Sequence, residues 1–261
     1  MQLDFFKYQG TGNDFILIDN RDFIIDSKDI SLIEKICDRR FGVGGDGLML
    51  LENEKNFDFR MRYFNSDGKE ASMCGNGGRC IVAFAHLLGI ISDSAKFIAV
   101  DGEHEAKVKH NKNELLISLQ MQNISEIEIG EDYFFLNTGS PHFIKFIPNH
   151  NNFDTLAEGN KIRNSERFKE QGTNVNFVSF LDDSILVSTF ERGVEAETYS
   201  CGTGVVASAI CASFKTDKNH YKIKTKGGTL KVEFNKIDSQ HIKEIWLTGP
   251  ATYVFKGKYN L

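Results

Sequence analysis

The sequence predicts an α/β (α+β) protein of two pseudo-symmetric halves, each a curved mixed or antiparallel sheet wrapped around one central helix. Three observations carry this expectation. A cysteine, a Gly-x-Gly turn and an apolar helical run occur twice, as Cys74-Gly75-Asn76-Gly77 before residues 81–88 and as Cys201-Gly202-Thr203-Gly204 before residues 205–210. Each copy follows a strand-like segment at nearly the same distance: Phe64 precedes Cys74 by ten residues and Phe190 precedes Cys201 by eleven, with Glu70 and Glu197 each four residues before the cysteine. Glycine is frequent (23) and proline rare (3), which suits many tight turns and few rigid linkers. A helix that is apolar nearly all round is a buried one. Two such halves would bring two helix N-termini, each headed by a thiol, to a shared site.

Taken in order, residues 3–9 and 15–19 read as strands around the turn Gly10-Thr11-Gly12-Asn13-Asp14. Residues 28–40 carry Ile30, Ile33 and Cys37 at helical spacing, with Ser31 and Glu34 placed as a capping box. Residues 48–51 form a short buried strand. Residues 57–63 alternate with period two and end in the turn cluster Asn65-Ser66-Asp67-Gly68. After the first cysteine loop and a helix ending near Gly89, strands at 96–100, 105–109 and 114–121 form a meander, with turns at Asp101-Gly102 and 111–113. The acidic, irregular segment 122–131 marks a domain boundary, which gives halves of 1–122 and 123–249. The second half repeats the order. It has strands at 133–137 and 143–147, a polar helical region at 154–171, and strands at 174–181 and 185–190. The second cysteine loop and a helix to about 214 follow, then strands near 221–225, 229–234 and 242–247. A last strand, 251–256, is open to either half.

Composition limits the function. The 261 residues are 41% hydrophobic and 26% charged, which is globular. The net charge, 31 − 36 = −5, gives no basic footprint, so nucleic acid and anionic membrane are not expected partners. The apolar run 81–91 is interrupted by His86 and is too short to span a bilayer. No charged-then-apolar leader is visible around Asp4 and Lys7, so the expected location is cytoplasmic. The five cysteines (37, 74, 80, 201 and 211) are odd in number, which argues against a disulfide framework.

A thiol at a helix N-terminus has its pKa lowered by the dipole and by unpaired N–H groups. A thiolate base and a thiol acid on opposite sides of one carbon are what a two-base racemisation needs. The same N-termini can bind a carboxylate and stabilise a carbanion beside it. A lone cysteine is more often a small buried hydrophobe; duplication of the context favours function for Cys74 and Cys201. Cys37, Cys80 and Cys211 read as core. Cys74, Cys80 and His86 match no zinc spacing, so no metal is expected. No Cys-x-x-Cys redox motif occurs. The run 42–47 matches Gly-x-Gly-x-x-Gly but follows a helix and opens a strand, the wrong context for a dinucleotide. No cofactor is expected. Asn13, Asn65, Asn76 and Asn174 lie in loops or at strand ends, where asparagine is common for local reasons. With Arg192, which can hold a carboxylate bidentately, they form a set suited to a small amino acid with extra polar groups. The plain alternative for Arg192 is a solvated arginine or a pair with Glu191. His142 reads as structural or functional alike.

These residues, in this order, resemble the diaminopimelate epimerase family. Gly12-Asn13-Asp14-Phe15, Asn65-Ser66-Asp67-Gly68, Cys74-Gly75-Asn76-Gly77-Gly78-Arg79, Gly139-Ser140-Pro141-His142, Glu191-Arg192-Gly193 and Cys201-Gly202-Thr203-Gly204 cover nearly the whole chain. The resemblance implies a cofactor-independent epimerase that interconverts LL- and meso-diaminopimelate in lysine and peptidoglycan-precursor synthesis, usually as a homodimer. It implies Cys74 and Cys201 as the acid/base pair. It implies Asn13, Asn65, Gly75, Asn76, Asn174, Glu191, Arg192, Gly202 and Thr203 as substrate contacts, with His142 and Glu191 tuning the thiols. It also implies that the last strand, about 250–261, rejoins the first half. Gly47 and Ser140 stand where many members carry Gln and Asn. The other readings are a proline-type racemase of the same architecture, or a non-catalytic redox or metal-binding thiol protein.

Overall fold

The computed structural model describes residues 2–111 and 114–261. The turn expected at 111–113 lies in part outside these. The chain forms two compact units, Met1–Leu119 with Gly249–Leu261, and Gln120–Thr248.

The first unit begins with β1 (Gln2–Gly10) and β2 (Asn13–Asp19), an antiparallel hairpin. Helix α1 (Ile30–Cys37) crosses to β3 (Gly47–Glu52), which pairs parallel with β2. Strands β4 (Phe59–Asn65) and β5 (Glu70–Ala71) follow antiparallel. Helix α2 (Gly75–Leu87) then leads to β6 (Ser94–Ala99), parallel to β4, and to β7 (Gly102–Asn111) and β8 (Glu114–Gln120) in a meander. Strands β2 and β3 are apolar without alternation because both faces are covered. Ile16, Ile18, Leu48 and Leu50 pack with Ile33 and Ile36 of α1. The alternate residues Phe15, Leu17, Met49 and Leu51 take the other face, against which α2 lies. Helix α2 is buried from Gly75 to Ala85, which explains why its sequence lacks a polar stripe.

The second unit repeats this plan. Strands β9 (Ile127–Ile129), β10 (Tyr133–Asn137) and β11 (Pro141–Phe146) pair antiparallel. Helix α3 (Thr155–Arg163) crosses to β12 (Asn174–Phe180), parallel to β11. Strands β13 (Ile185–Glu191) and β14 (Ala196–Thr198) follow antiparallel. Helix α4 (Gly202–Thr216) leads to β15 (His220–Thr225), parallel to β13, then to β16 (Gly228–Lys236) and β17 (Ile242–Pro250). The order and sense of pairing from β10 to β17 match those from β1 to β8. Phe143, Val175, Phe177 and Phe190 form the layer under α3, while α4, buried from Val205 to Ser213, occupies the other face. The last strand, β18 (Thr252–Asn260), pairs antiparallel with β1.

The expected mixed fold with a central helix in each half is the observed one. Local differences have physical causes. The N-cap of α1 is Asp29, whose carboxylate accepts from Leu32 N at 3.0 Å, so the Ser31/Glu34 capping box does not form. The polar region at 154–171 is helical only to Arg163; turns such as Ser165 N to Ile162 O follow. Strands β5, β9 and β14 are too short to show a sequence period. Among the described residues, no helix is long and apolar enough to cross a membrane.

Candidate functional site

In the first unit, Cys74 is the N-cap of α2, in extended backbone (φ −91°, ψ 131°) and half-buried. Its carbonyl starts the helix, accepting from Gly78 N at 2.6 Å. The sulfur therefore sits at the positive end of the helix, beside first-turn N–H groups that have no intrahelical partner. Sγ lies 3.7 Å from Asn13 Oδ1. Asp46 fixes the direction of that contact, because its carboxylate only accepts. Asn13 Nδ2 donates to Asp46 Oδ2 at 2.6 Å, which leaves Oδ1 toward the thiol and toward Asn76 Nδ2 at 3.3 Å.

Behind Asn13 stands a charged network. Arg39 bridges Asp46 (2.7 Å) and Asp14 (2.6 Å), and Lys7 pairs with Asp14 at 2.6 Å while donating to the Gly44 carbonyl. Burial pushes the Asp14 carboxyl up, but the hydrogen bonds and charges of Arg39 and Lys7 outweigh it and hold the group at about 2. The glycine run after α1 closes that helix. Val43 N and Gly44 N donate to Ile36 O, and Gly45 N donates to Cys37 O. This loop binds the C-terminus of a helix and delivers Asp46 to Asn13.

Arg79 is fully buried within α2. Its guanidinium donates to Asn76 Oδ1 (3.0 Å), Gly75 O (3.1 Å), Thr11 Oγ1 (3.3 Å) and Pro250 O (3.3 Å). It thus ties the first turn of α2 to the β1–β2 turn that carries Asn13. Asn65 lies exposed at the end of β4, opposite Gly47 in the ladder. A Cβ on Gly47 would fall 2.4 Å from Phe64 O and 2.6 Å from the Tyr63 ring, so a side chain there would require the backbone of β4 to shift as well as Tyr63.

In the second unit, Cys201 is the N-cap of α4, also extended (φ −112°, ψ 114°) and 8% exposed. Its sulfur lies 3.4 Å from Thr203 Oγ1. Thr203 Oγ1 is 2.9 Å from His142 Nε2 and 3.1 Å from Ser140 Oγ, and its carbonyl accepts from Thr138 Oγ1. His142 is fully buried. Burial, aided by the Arg192 charge, pulls its pKa down to about 3, so the imidazole is neutral. Its Nδ1 is 3.0 Å from Asn176 Nδ2. Asn174 Nδ2 donates to Ser140 Oγ and Pro141 O, and its Oδ1 accepts from Arg192 N at 2.9 Å. The Arg192 side chain is exposed and donates to Gln171 O at 3.0 Å. Glu191, half-buried at the end of β13, accepts at its carbonyl from Glu195 N. A Cβ on Gly204 would fall 2.3 Å from Asn176 Oδ1 and 3.1 Å from His142 Cε1. The second glycine of the motif is there so that α4 can touch this polar cluster.

Each unit therefore gathers its own share of the expected residues around its cysteine. Asn13, Gly75 and Asn76 surround Cys74; His142, Gly202 and Thr203 surround Cys201, with Asn174 and Arg192 one layer out. The remaining cysteines differ in kind. Cys37, Cys80 and Cys211 are buried, and burial pushes the Cys37 and Cys80 thiols up to about 12 and raises Cys211 strongly. Among the described residues, no group of three or more His, Cys, Asp or Glu is arranged to hold a metal ion. Sequence reasoning gave no role to Asp46, Arg79, Asn176 or Thr189. The available signals were an arginine inside an apolar helix, and Asn176 on the same strand face as Asn174.

The sequence profile of the family described as diaminopimelate epimerase matches residues 5–125 and 134–254. A relative from Flavobacterium psychrophilum named diaminopimelate epimerase is 51% identical over 254 residues, covering 96% of this chain and 98% of its own. A phenazine biosynthesis protein of the PhzF family from Bacillus anthracis superposes with a TM-score of 0.77 at 16% identity, over 100% of both chains. A probable proline racemase from Agrobacterium radiobacter does so with a TM-score of 0.71 at 12% identity, over 99% of this chain and 93% of its own. At such identity these two structures share the fold.

Proposed function

The chain belongs to the diaminopimelate epimerase family and is an isomerase, and from this premise we propose that it interconverts LL- and meso-diaminopimelate by proton transfer through Cys74 and Cys201. One thiolate takes the proton from the α-carbon. The electron pair left behind is stabilised by the adjacent carboxylate, held at helix N-terminal N–H groups. The other thiol delivers its proton to the opposite face and inverts the centre. Protons balance over the step: the base ends as a thiol and the acid as a thiolate, so the pair is poised for the reverse direction. The reaction needs no cofactor.

The observation that carries this reading is the same local construction in both units. A cysteine caps a buried helix, and its sulfur is met by a polar side chain that a further group orients. The other three cysteines have no such setting. Asn13, Asn65, Gly75, Asn76, Asn174, Glu191, Arg192, Gly202 and Thr203 are the proposed substrate contacts, with His142 and Glu191 tuning the thiols. This polar set suits a substrate whose distal end carries its own amino and carboxylate groups. It favours diaminopimelate over proline, as does the 51% identity to a protein named for the former. Lysine and peptidoglycan-precursor synthesis, a cytoplasmic location and a homodimer belong to the same proposal and rest on the family resemblance.

The test is incubation with LL-diaminopimelate in heavy water under reducing conditions. Deuterium should enter at the α-carbon with formation of the meso isomer. Absence of both, with all thiols reduced, would overturn the proposal, as would turnover of proline in place of diaminopimelate. Cys74→Ala and Cys201→Ala should each lower turnover by at least about 10³-fold, in line with loss of a residue that acts as part of a unit.

A further inference from the structure

We infer that Asn176 is a positioning residue that locks His142 in its Nε2–H tautomer and thereby turns the Thr203 hydroxyl proton onto Cys201 Sγ, favouring the thiolate at that cysteine. The inference rests on the reading of Cys201 as an acid/base thiol. It concerns a residue that neither the motifs nor the family resemblance singled out.

The links from Phe143 O to His142 Nε2 have a forced direction. Asn176 Nδ2 lies 3.2 Å from Phe143 O, a carbonyl that can only accept, so the amide nitrogen faces Phe143 and His142. Asn176 Oδ1 then accepts from Thr189 Oγ1 at 2.9 Å. With Nδ2 as donor at 3.0 Å, His142 Nδ1 is the acceptor, and the ring proton of the neutral imidazole sits on Nε2. Nε2–H donates toward Thr203 Oγ1 at 2.9 Å, with Ser140 Oγ at 3.0 Å beside it.

Ser140 is fixed independently. Arg192 N can only donate, so Asn174 Oδ1 faces it and Asn174 Nδ2 donates to Ser140 Oγ at 3.2 Å. The Ser140 hydroxyl proton is then available to Thr203 Oγ1 at 3.1 Å. With Nε2–H and the Ser140 hydroxyl both donating, Thr203 Oγ1 has accepted twice, and its own proton is free to turn to Cys201 Sγ at 3.4 Å. A donated hydrogen bond favours the charged form of an acceptor. The chain runs from β13 through β12 and β11 to the first turn of α4. Gly204 makes room for it, since any Cβ there would meet Asn176 Oδ1. The relay thus favours Cys201 as the base at rest, with the proton to be delivered on the other thiol.

The experiment reads tautomer and thiol reactivity, not turnover, so its failure is distinct from failure of the epimerase reading. In the native full chain, ¹⁵N-histidine spectra should show His142 with an unprotonated Nδ1 and a protonated Nε2. Alkylation of Cys201 by iodoacetamide, followed peptide by peptide against pH, should have its midpoint moved up by about one unit in Asn176→Leu, an isosteric change that removes the donor without adding charge. Cys74 should keep its midpoint. Thr203→Val should shift Cys201 in the same direction. A native Nδ1–H tautomer, an unmoved Cys201 midpoint in both variants, or an equal shift at Cys74 would each overturn the inference. Should either variant fail to fold, the native tautomer decides.

Discussion

A buried group that can carry charge does so only at a cost, and two such groups flank the cysteines. Arg79 keeps its charge in the interior because its planar fork meets four acceptors at once. Lysine offers a point charge on a single stem. Arg79→Lys should therefore lower stability by about 2 kcal/mol, through acceptors left unpaired, measured as a lower urea midpoint. His142 takes the opposite course and stays neutral. Its folded pKa is about 3 against an ordinary 6.5. Between those values the unfolded chain binds the extra proton, so stability present above about pH 6.5 is lost as pH falls toward 3, at up to about 1.4 kcal/mol per unit. In His142→Gln the slope of stability against pH between 6.5 and 5 should be shallower by that amount. Equal slopes would show that the imidazole is not held neutral.

At the scale of elements, helix ends do most of the positioning. Helix α1 begins at an aspartate cap and ends in a loop that folds back onto its last carbonyls, and the same loop holds Asp46 against Asn13. Asp29→Ala should cost about 1 kcal/mol of stability, the usual value of a lost N-cap, with little effect on turnover. Helix α4 is capped by Cys201 and lies so close to β11 and β12 that its third residue, Gly204, has no side chain. Gly204→Ala should push the first turn of α4 away from Asn176 and His142. The expected result is a loss of about 1–3 kcal/mol from overpacking, with a larger proportional loss in kcat than in the wild-type-like Asp29→Ala. Polar strand positions matter in the same way. Asn174 and Asn176 sit on the α4 face of β12, while Val175 and Phe177 pack under α3.

On the scale of the molecule, one plan is used twice, and the chain end serves the beginning. Strand β18 covers the edge of β1 that β2 does not, as β9 covers β10 in the second unit. Deleting residues 252–261 would leave β1 with an unpaired edge next to the strands that carry Asn13. Hydrogen exchange should then speed up across β1 and β2 while β10 to β13 keep their protection; unchanged exchange in β1 would refute the assignment.

The sequence by itself determined the duplicated plan, the two capping cysteines and the helices behind them, because these are local matters. A cysteine followed by Gly-x-Gly and a run of apolar and small residues allows little else than a buried helix headed by a thiol. It also separated Cys74 and Cys201 from Cys37, Cys80 and Cys211, which stand in plain apolar settings. Tertiary structure decided what touches the sulfurs. Asp46 reaches Asn13 across 33 residues and Asn176 reaches His142 across 34. No short-range pattern encodes such a pairing, and asparagine is as common in turns as in polar cores. It decided that the glycine run at 42–47 closes a helix, and that Gly47 faces Tyr63 with no space for a side chain unless β4 shifts. The orientations of the Asn13, Asn174 and Asn176 amides were likewise settled by the carboxylate, backbone N–H and carbonyl groups beside them, which can act in one sense only.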